Sequence, residues 1–236
     1  MSNSGQIVVT GASKGIGAEI VKHLADKGVD VVGLSRTGTV PAGTGIACDM
    51  TDEASVREAF AKVAERGPLA GLVNNAGVHI LGAIESLTVE SFNQTIELNT
   101  TAVMVASREA YPQLKANGGG VVVNMGSFFG KLGVPHNLAY CASKAAVAAM
   151  TRCMAVEWAA DNIRAINIAP GYIETDLNRD YLAREKVKAW MADRIPLGQP
   201  GKAEDIARMV AWLCTEPGGF LTGETIYVDG GQGINH

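Results

Sequence analysis

Tyr140 and Lys144 stand four positions apart in the stretch LAYCASKAAVAAM, otherwise built of small, helix-favouring residues. On a helix that spacing puts a phenol and an ammonium one turn apart on the same face. A free phenol, with a pKa of about 10, is a poor acid–base catalyst at neutral pH. A neighbouring cation favours phenolate and is expected to bring the pKa toward the working range. An isolated pair of this kind is also what a solvated helix face looks like, with the lysine stem lying along the ring. Its meaning therefore depends on what surrounds it.

A second constellation lies near the amino end. The segment VVTGASKGIGAEI carries glycines at 11, 15 and 17 between an apolar β-branched run and a helical pattern. Glycine at such a junction allows a tight turn and lets the backbone approach a diphosphate. The charge of the diphosphate is then met by free N–H groups and the positive end of the helix dipole.

Both sites need positioning elements, and the chain supplies them by alternation. Strand-like runs QIVVTG, DVVGLS, TGIACDM, LAGLVNNAG, GVVVNMGS, IRAINIAPG and ETIYVDGG are separated by helical patterns over 15–27, 52–66, 89–116, 138–160 and 203–215. This predicts an α/β fold, a doubly wound parallel sheet of seven strands with helices on both faces. The runs are apolar along their length, as in a sheet covered on both sides. Thr51 is expected to cap the second helix, Gly28 to close the first, and Pro112 to kink or divide the long 89–116 helix. One domain over residues 1–236 follows from the length and from the lack of any linker, repeat or low-complexity segment.

Composition narrows the function classes. A net charge of -4 leaves no basic footprint for nucleic acid or an anionic membrane, and the amino end shows no secretory signal pattern. No uncharged apolar run reaches about 18 residues. A cytoplasmic protein acting on a small molecule is expected. Cysteines 48, 141, 153 and 214 show neither metal-ligand nor disulfide spacing, and all four are expected to be reduced packing residues, with no metal.

The set of landmarks resembles the short-chain dehydrogenase/reductase superfamily. Thr10 to Gly17 match its T-G-x-x-x-G-x-G pattern. NNAG at 74–77, Asn99, Ser127, Tyr140, Lys144 and PG at 170–171 follow in its order, over nearly the whole chain. The resemblance implies a Rossmann-type fold and a nicotinamide cofactor. Tyr140 would pass a proton to or from the substrate oxygen and Ser127 would hold that oxygen. Lys144 would bind the nicotinamide ribose and, together with the cofactor's positive ring, tune Tyr140 toward phenolate, and Asn99 would support a water leading from the lysine. It further implies cofactor contacts at Gly11, Ser13, Lys14, Gly15, Ile16 and Gly17, at Asn75, Ala76 and Gly77, and at Tyr140 and Lys144. Pro170, Gly171, Ile173 and Thr175 would complete them, with Asp49 and Met50 at the adenine end.

The carboxyl end of the second strand carries Ser35 and Arg36, with no carboxylate to hold a ribose 2′-hydroxyl. Arg36 can pair with a 2′-phosphate through its planar fork, and Lys14 adds a second cation. NADP(H) is therefore expected over NAD(H). Asp30 is placed at the wrong, amino, end of that strand.

Phe128, Phe129, His136, Asn137 and Tyr172 are expected to wall the substrate site, together with the segment 174–198 acting as a lid and including Leu177 and Trp190. His79 and His136 are polar groups that could orient a substrate. The expected reaction is interconversion of a carbonyl and a secondary alcohol on a small or acyl-linked compound. The alternatives are an NAD-dependent alcohol, sugar or diol dehydrogenase and a non-catalytic cofactor sensor. A sugar-nucleotide epimerase would need a different glycine spacing and a larger C-terminal domain. Apolar surface on the helices 89–116 and 138–160 and the chain's end soon after YVDGG resemble members of the superfamily that form homo-tetramers.

Overall fold

The computed structural model describes residues 5–176, 178–216 and 218–235. In chain order the elements are β1 (Gln6–Thr10), α1 (Gly15–Asp26), β2 (Val31–Ser35), β3 (Thr44–Ala47), α2 (Glu53–Arg66) and β4 (Leu69–Asn74). Next come α3 (Val89–Ile96), α4 (Ala102–Ala116), β5 (Gly120–Met125), α5 (Leu138–Trp158) and β6 (Ile163–Pro170). The carboxyl third holds β7 (Ile173–Glu174), α6 (Arg179–Leu182), α7 (Glu185–Arg194), β8 (Gly201–Lys202), α8 (Ala203–Thr215) and β9 (Thr225–Val228).

Seven strands form one parallel sheet in the order β3-β2-β1-β4-β5-β6-β9, and β7 and β8 form a separate short ladder. The order reverses between β1 and β4, and at such a switch point a crevice opens beyond the carboxyl ends of the strands. Every residue of β1, β2 and β4 is buried, as both-face coverage requires, while the edge strands β3 and β9 are partly exposed. One core gathers Val8, Leu34, Phe60, Leu72, Leu114 and Ala155 under α2, α4 and α5. The other gathers Val9, Ile20, Leu24, Ile166, Ile206 and Val210 under α1 and α8.

Three local expectations are corrected. Asp52 caps α2, its carboxylate accepting from Ala54 N at 2.9 Å, because the hydroxyl of Thr51 is taken up by Asp49 at 2.8 Å. The 89–116 helix is not divided at Pro112, which lies within α4. It is interrupted by a π-type turn, Glu97–Thr101, centred on the buried Asn99. Such wide turns leave the regular ladder where a side chain is needed elsewhere. All four cysteines are free, but Cys153 is exposed rather than packed.

Among the described residues no helix is long and apolar enough to cross a membrane, and no group of three or more His, Cys, Asp or Glu could hold a metal ion.

Candidate active site

The glycine loop closes over β1 by contacts only glycine allows. Gly11 has φ of 65°, and a Cβ there would meet Ala76 Cα at 2.8 Å. At Gly17 a Cβ would stand 2.3 Å from Gly11 O and 2.4 Å from Asn75 Nδ2. Asn75 Nδ2 donates to Thr10 O and Gly11 O, and Thr10 Oγ1 accepts from the amides of Asn75 and Ala76. The loop after β4 and the loop after β1 are thus fixed to each other. Gly15, with φ of 57°, is open, its imagined Cβ meeting only Thr175 Cγ2 at 3.8 Å. No side chain caps α1 and no acid lies in its first turn. Ser13 and Lys14 are exposed beside it and Ile16 is half-buried. An uncapped helix start under an open glycine is a place for an anion.

Tyr140 and Lys144 lie on α5 at the same mouth. Lys144 is buried at 6% exposure, and its Nζ donates to Met125 O at 2.7 Å. It stands 5.6 Å from the centre of the Tyr140 ring. Desolvation lowers the Lys144 ammonium to about 8. The Tyr140 phenol moves the other way: burial raises it, although the Ser127 hydroxyl bonded to its oxygen favours the ionised form. The expectation of a lowered phenol is therefore corrected for the protein by itself. Desolvation outweighs the hydrogen bond. Asn99 Oδ1 accepts from Val78 N at 2.7 Å, and its Nδ2 donates to Val78 O and to Ser143 Oγ. Gly77 lies between, its imagined Cβ 3.2 Å from Asn99 Oδ1 and 3.8 Å from Lys144 Nζ.

An aromatic wall leads away from Tyr140. Phe129 meets Tyr140 edge-on at 5.9 Å, Phe128 and Phe129 meet Tyr172 at 5.5 and 6.1 Å, and Tyr172 meets Trp190 at 5.4 Å. The segment after β7 is two short helices, α6 and α7, closed around Leu182, Met191 and Ile195 with Tyr172 against them. Its charges pair among themselves, Arg179 with Glu174 and Asp176, and Lys188 with Glu185. His136 is not part of the wall. It is exposed in a left-handed conformation with φ of 64°, and its carbonyl accepts from Gly82 N. Leu177 lies outside the described residues.

A family model described as enoyl-(acyl carrier protein) reductase matches residues 11–232. The 3-oxoacyl-[acyl-carrier-protein] reductase MabA of Mycobacterium tuberculosis is 34% identical over 99% of this chain and 94% of its own. The chain belongs to the short-chain dehydrogenase/reductase superfamily. A relative from Xanthobacter autotrophicus, named as an inactive 2-(S)-hydroxypropyl-CoM dehydrogenase 2, is 38% identical over 81% of this chain and 85% of its own. The crystal structure of a gluconate 5-dehydrogenase from Burkholderia cenocepacia J2315 in complex with NADP and tartrate superposes with a TM-score of 0.91. It is 26% identical and covers 100% of this chain and 98% of that one. This short-chain dehydrogenase/reductase is an oxidoreductase of carbonyl and alcohol groups.

At the carboxyl end of β2, Ser35 is buried and donates to Thr39 O, which turns its hydroxyl into the chain. Arg36 is exposed and carries no ion pair among the described residues; its field reaches Asp49, whose carboxyl is lowered mainly by the bonds from Thr51. Met50 is buried, its Sδ beside Cys48 Sγ. Asp30 is paired with Arg66 just before β2, at the opposite end of the strand from Arg36. At the end of β6, Pro170 is buried, and Gly171 beyond it packs on Asp229 so closely that a Cβ would stand 2.7 Å from its Cα. Ile173 is buried, and Thr175 N donates to Asn178 Oδ1.

Thr10, Ser143 and Asn178 do structural work here and had no role assigned from sequence. The first was legible as the threonine of the TG pair. The other two act through a hydroxyl bonding Tyr140 O and an amide bonding Ile173 O, contacts that pattern alone does not encode.

Proposed function

We propose that this protein is an NADP(H)-dependent reductase of a carbonyl compound, with the reverse oxidation available, in which Tyr140 is the acid–base group. The observation that carries the reading is the convergence of Tyr140, Ser127, Lys144 and Asn99 at the switch-point crevice, beside a glycine loop ending in an uncapped helix. The residues present fit a dinucleotide: open space at Gly15, no side chain capping the amides at the start of α1, and no acid in the first turn of that helix. When bound, the nicotinamide supplies or accepts the hydride.

The chain's own residues do the rest. Tyr140 holds the proton that reaches the substrate oxygen, and Ser127, already bonded to the phenol, holds that same oxygen. Lys144, buried and fixed on Met125 O, offers a cation that the bound cofactor's ribose hydroxyls can share. Asn99 holds the backbone of Val78 in place beside it. Segment 174–198 acts as the lid, with Thr175 already next to Gly15. Because one relative is named as inactive, likeness alone does not carry turnover; these four residues do.

The substrate side is apolar and aromatic, with Ser127, Tyr140, His79 and Asn137 as its polar groups. That favours a ketone on an apolar or acyl-linked body over a polyol. The exposed apolar groove of about 440 Å³ between α4 and α5, with Met104, Tyr111, Met150 and Trp158, supports assembly as a homo-tetramer.

The cofactor assignment rests on Arg36, exposed and without an ion pair among the described residues, at the carboxyl end of β2. Arg36→Ala is expected to weaken NADPH binding by roughly 1–3 kcal/mol, the scale of a charge-assisted contact, and to leave NADH nearly unchanged. Equal losses for both nucleotides in a fluorescence titration would assign the protein to NAD(H) or to neither.

A further inference from the structure

The ring of His79 lies on the ring of Tyr140, with centroids 4.3 Å apart and planes 33° apart. The same imidazole meets Phe129 edge-on at 6.2 Å. His79 Nε2 is hydrogen-bonded to Oδ1 of Asn137, a residue 6% exposed. The Asn137 amide is oriented by its other end, Nδ2 donating to Pro135 O at 2.7 Å. Its Oδ1 is therefore the acceptor, so His79 carries its proton on Nε2 and leaves Nδ1 turned away from this bond. Asn137 is also the residue from which α5 starts, its carbonyl accepting from Cys141 N. A second tie runs alongside, Gly82 N to His136 O.

We propose that His79 is a positioning residue: tethered by Asn137, its ring clamps the Tyr140 ring in place and covers the phenol face that would otherwise meet water. The loop after β4, which carries the nucleotide-facing NNAG turn, is thereby locked to the helix that carries Tyr140. The inference rests on Tyr140 being the acid–base group. The groups around that phenol are few: His79 from the β4 loop, Ser127 and Phe129 from the turn after β5, and Lys144 and Cys141 from α5. Burial is what holds the phenol above its ordinary value. The ring that provides part of that cover is exposed on its own outer side, so the clamp can be removed without opening the core.

The test uses His79→Ala and His79→Phe, the second keeping a ring but no tether. In the free protein, the ultraviolet difference titration of each against its Tyr140→Phe counterpart isolates the Tyr140 phenol. His79→Ala is expected to lower that midpoint toward an ordinary tyrosine, and His79→Phe to restore it most of the way. With cofactor and a reducible ketone, His79→Ala should lose roughly 10-fold to 100-fold in kcat, the scale of a misplaced reacting group, with the KM for NADPH unchanged. His79→Phe should recover most of that loss. An unshifted midpoint and unchanged kcat in His79→Ala would overturn the clamp. Turnover that persists in Tyr140→Phe would instead overturn the acid–base assignment, and the titration would still report on the clamp.

Discussion

Burial acts on Tyr140 and Lys144 in opposite senses for one reason: each is pushed toward its neutral form. Lys144 is lowered to about 8 and the phenol is raised, so two neutral groups face the crevice over much of the alkaline range. The stability consequence has a definite sign. From about pH 8 to the ordinary lysine value the unfolded chain binds the proton that folded Lys144 has given up, so stability rises with pH. The gain is about 2 kcal/mol between pH 8 and about 9.5. Above about pH 10 the raised Tyr140 phenol works the other way, because the folded state then holds the extra proton. Urea titrations of the nucleotide-free protein at the two lower pH values should show the rise, and Lys144→Met should abolish it. An equal rise in the variant would mean that Lys144 is not desolvated. At this scale the sequence was informative about identity and spacing: Tyr140, Lys144, Ser127 and Asn99 do converge. Without the cofactor's positive ring the phenol is raised rather than lowered, because its burial, which spacing does not show, outweighs the Ser127 bond.

Elements were legible where pattern and physics agree. Strands buried on both faces read as continuous apolar runs, and Gly28, with φ of 77°, closes the first helix as expected. The misreadings came where side chains compete for backbone groups. Thr51 was a plausible cap until Asp49 claimed its hydroxyl. Proline is a strong local signal, yet the interruption between α3 and α4 falls at Glu97–Thr101, where Asn99 reaches across to Val78 and Ser143. Both partners of that bond set lie far off in sequence, so no local rule locates it. The aromatic wall is another case: Phe128 and Phe129 were legible as neighbours of Ser127. The placement of Asn137 rather than His136 against His79 depends on a left-handed turn at His136 that sequence does not announce.

At the scale of the whole molecule, alternation of β-branched runs with helical patterns was enough for the seven-stranded sheet, and right-handed crossovers leave few other windings. Segment 174–198, proposed above as the lid, was legible only as a segment; the small core of its two helices around Met191 packs against Tyr172. Exposed apolar residues on α4 and α5, Met104 at 42% and Val156 at 80%, are more than a free surface needs, which is why a tetramer is proposed. Light scattering should report about four times the 24.6 kDa of one chain, and a species at that mass itself would contradict the assembly.

The most direct test of the central claim is a paired measurement on Tyr140→Phe: equilibrium binding of NADPH, and NADPH oxidation against a panel of ketones and β-ketoesters on which the unaltered protein turns over. Binding within a few-fold of the unaltered protein together with a loss of kcat of about 100-fold to 10,000-fold, the scale of a missing general acid, is the predicted result. Retained turnover would contradict it and remove Tyr140 from the chemistry.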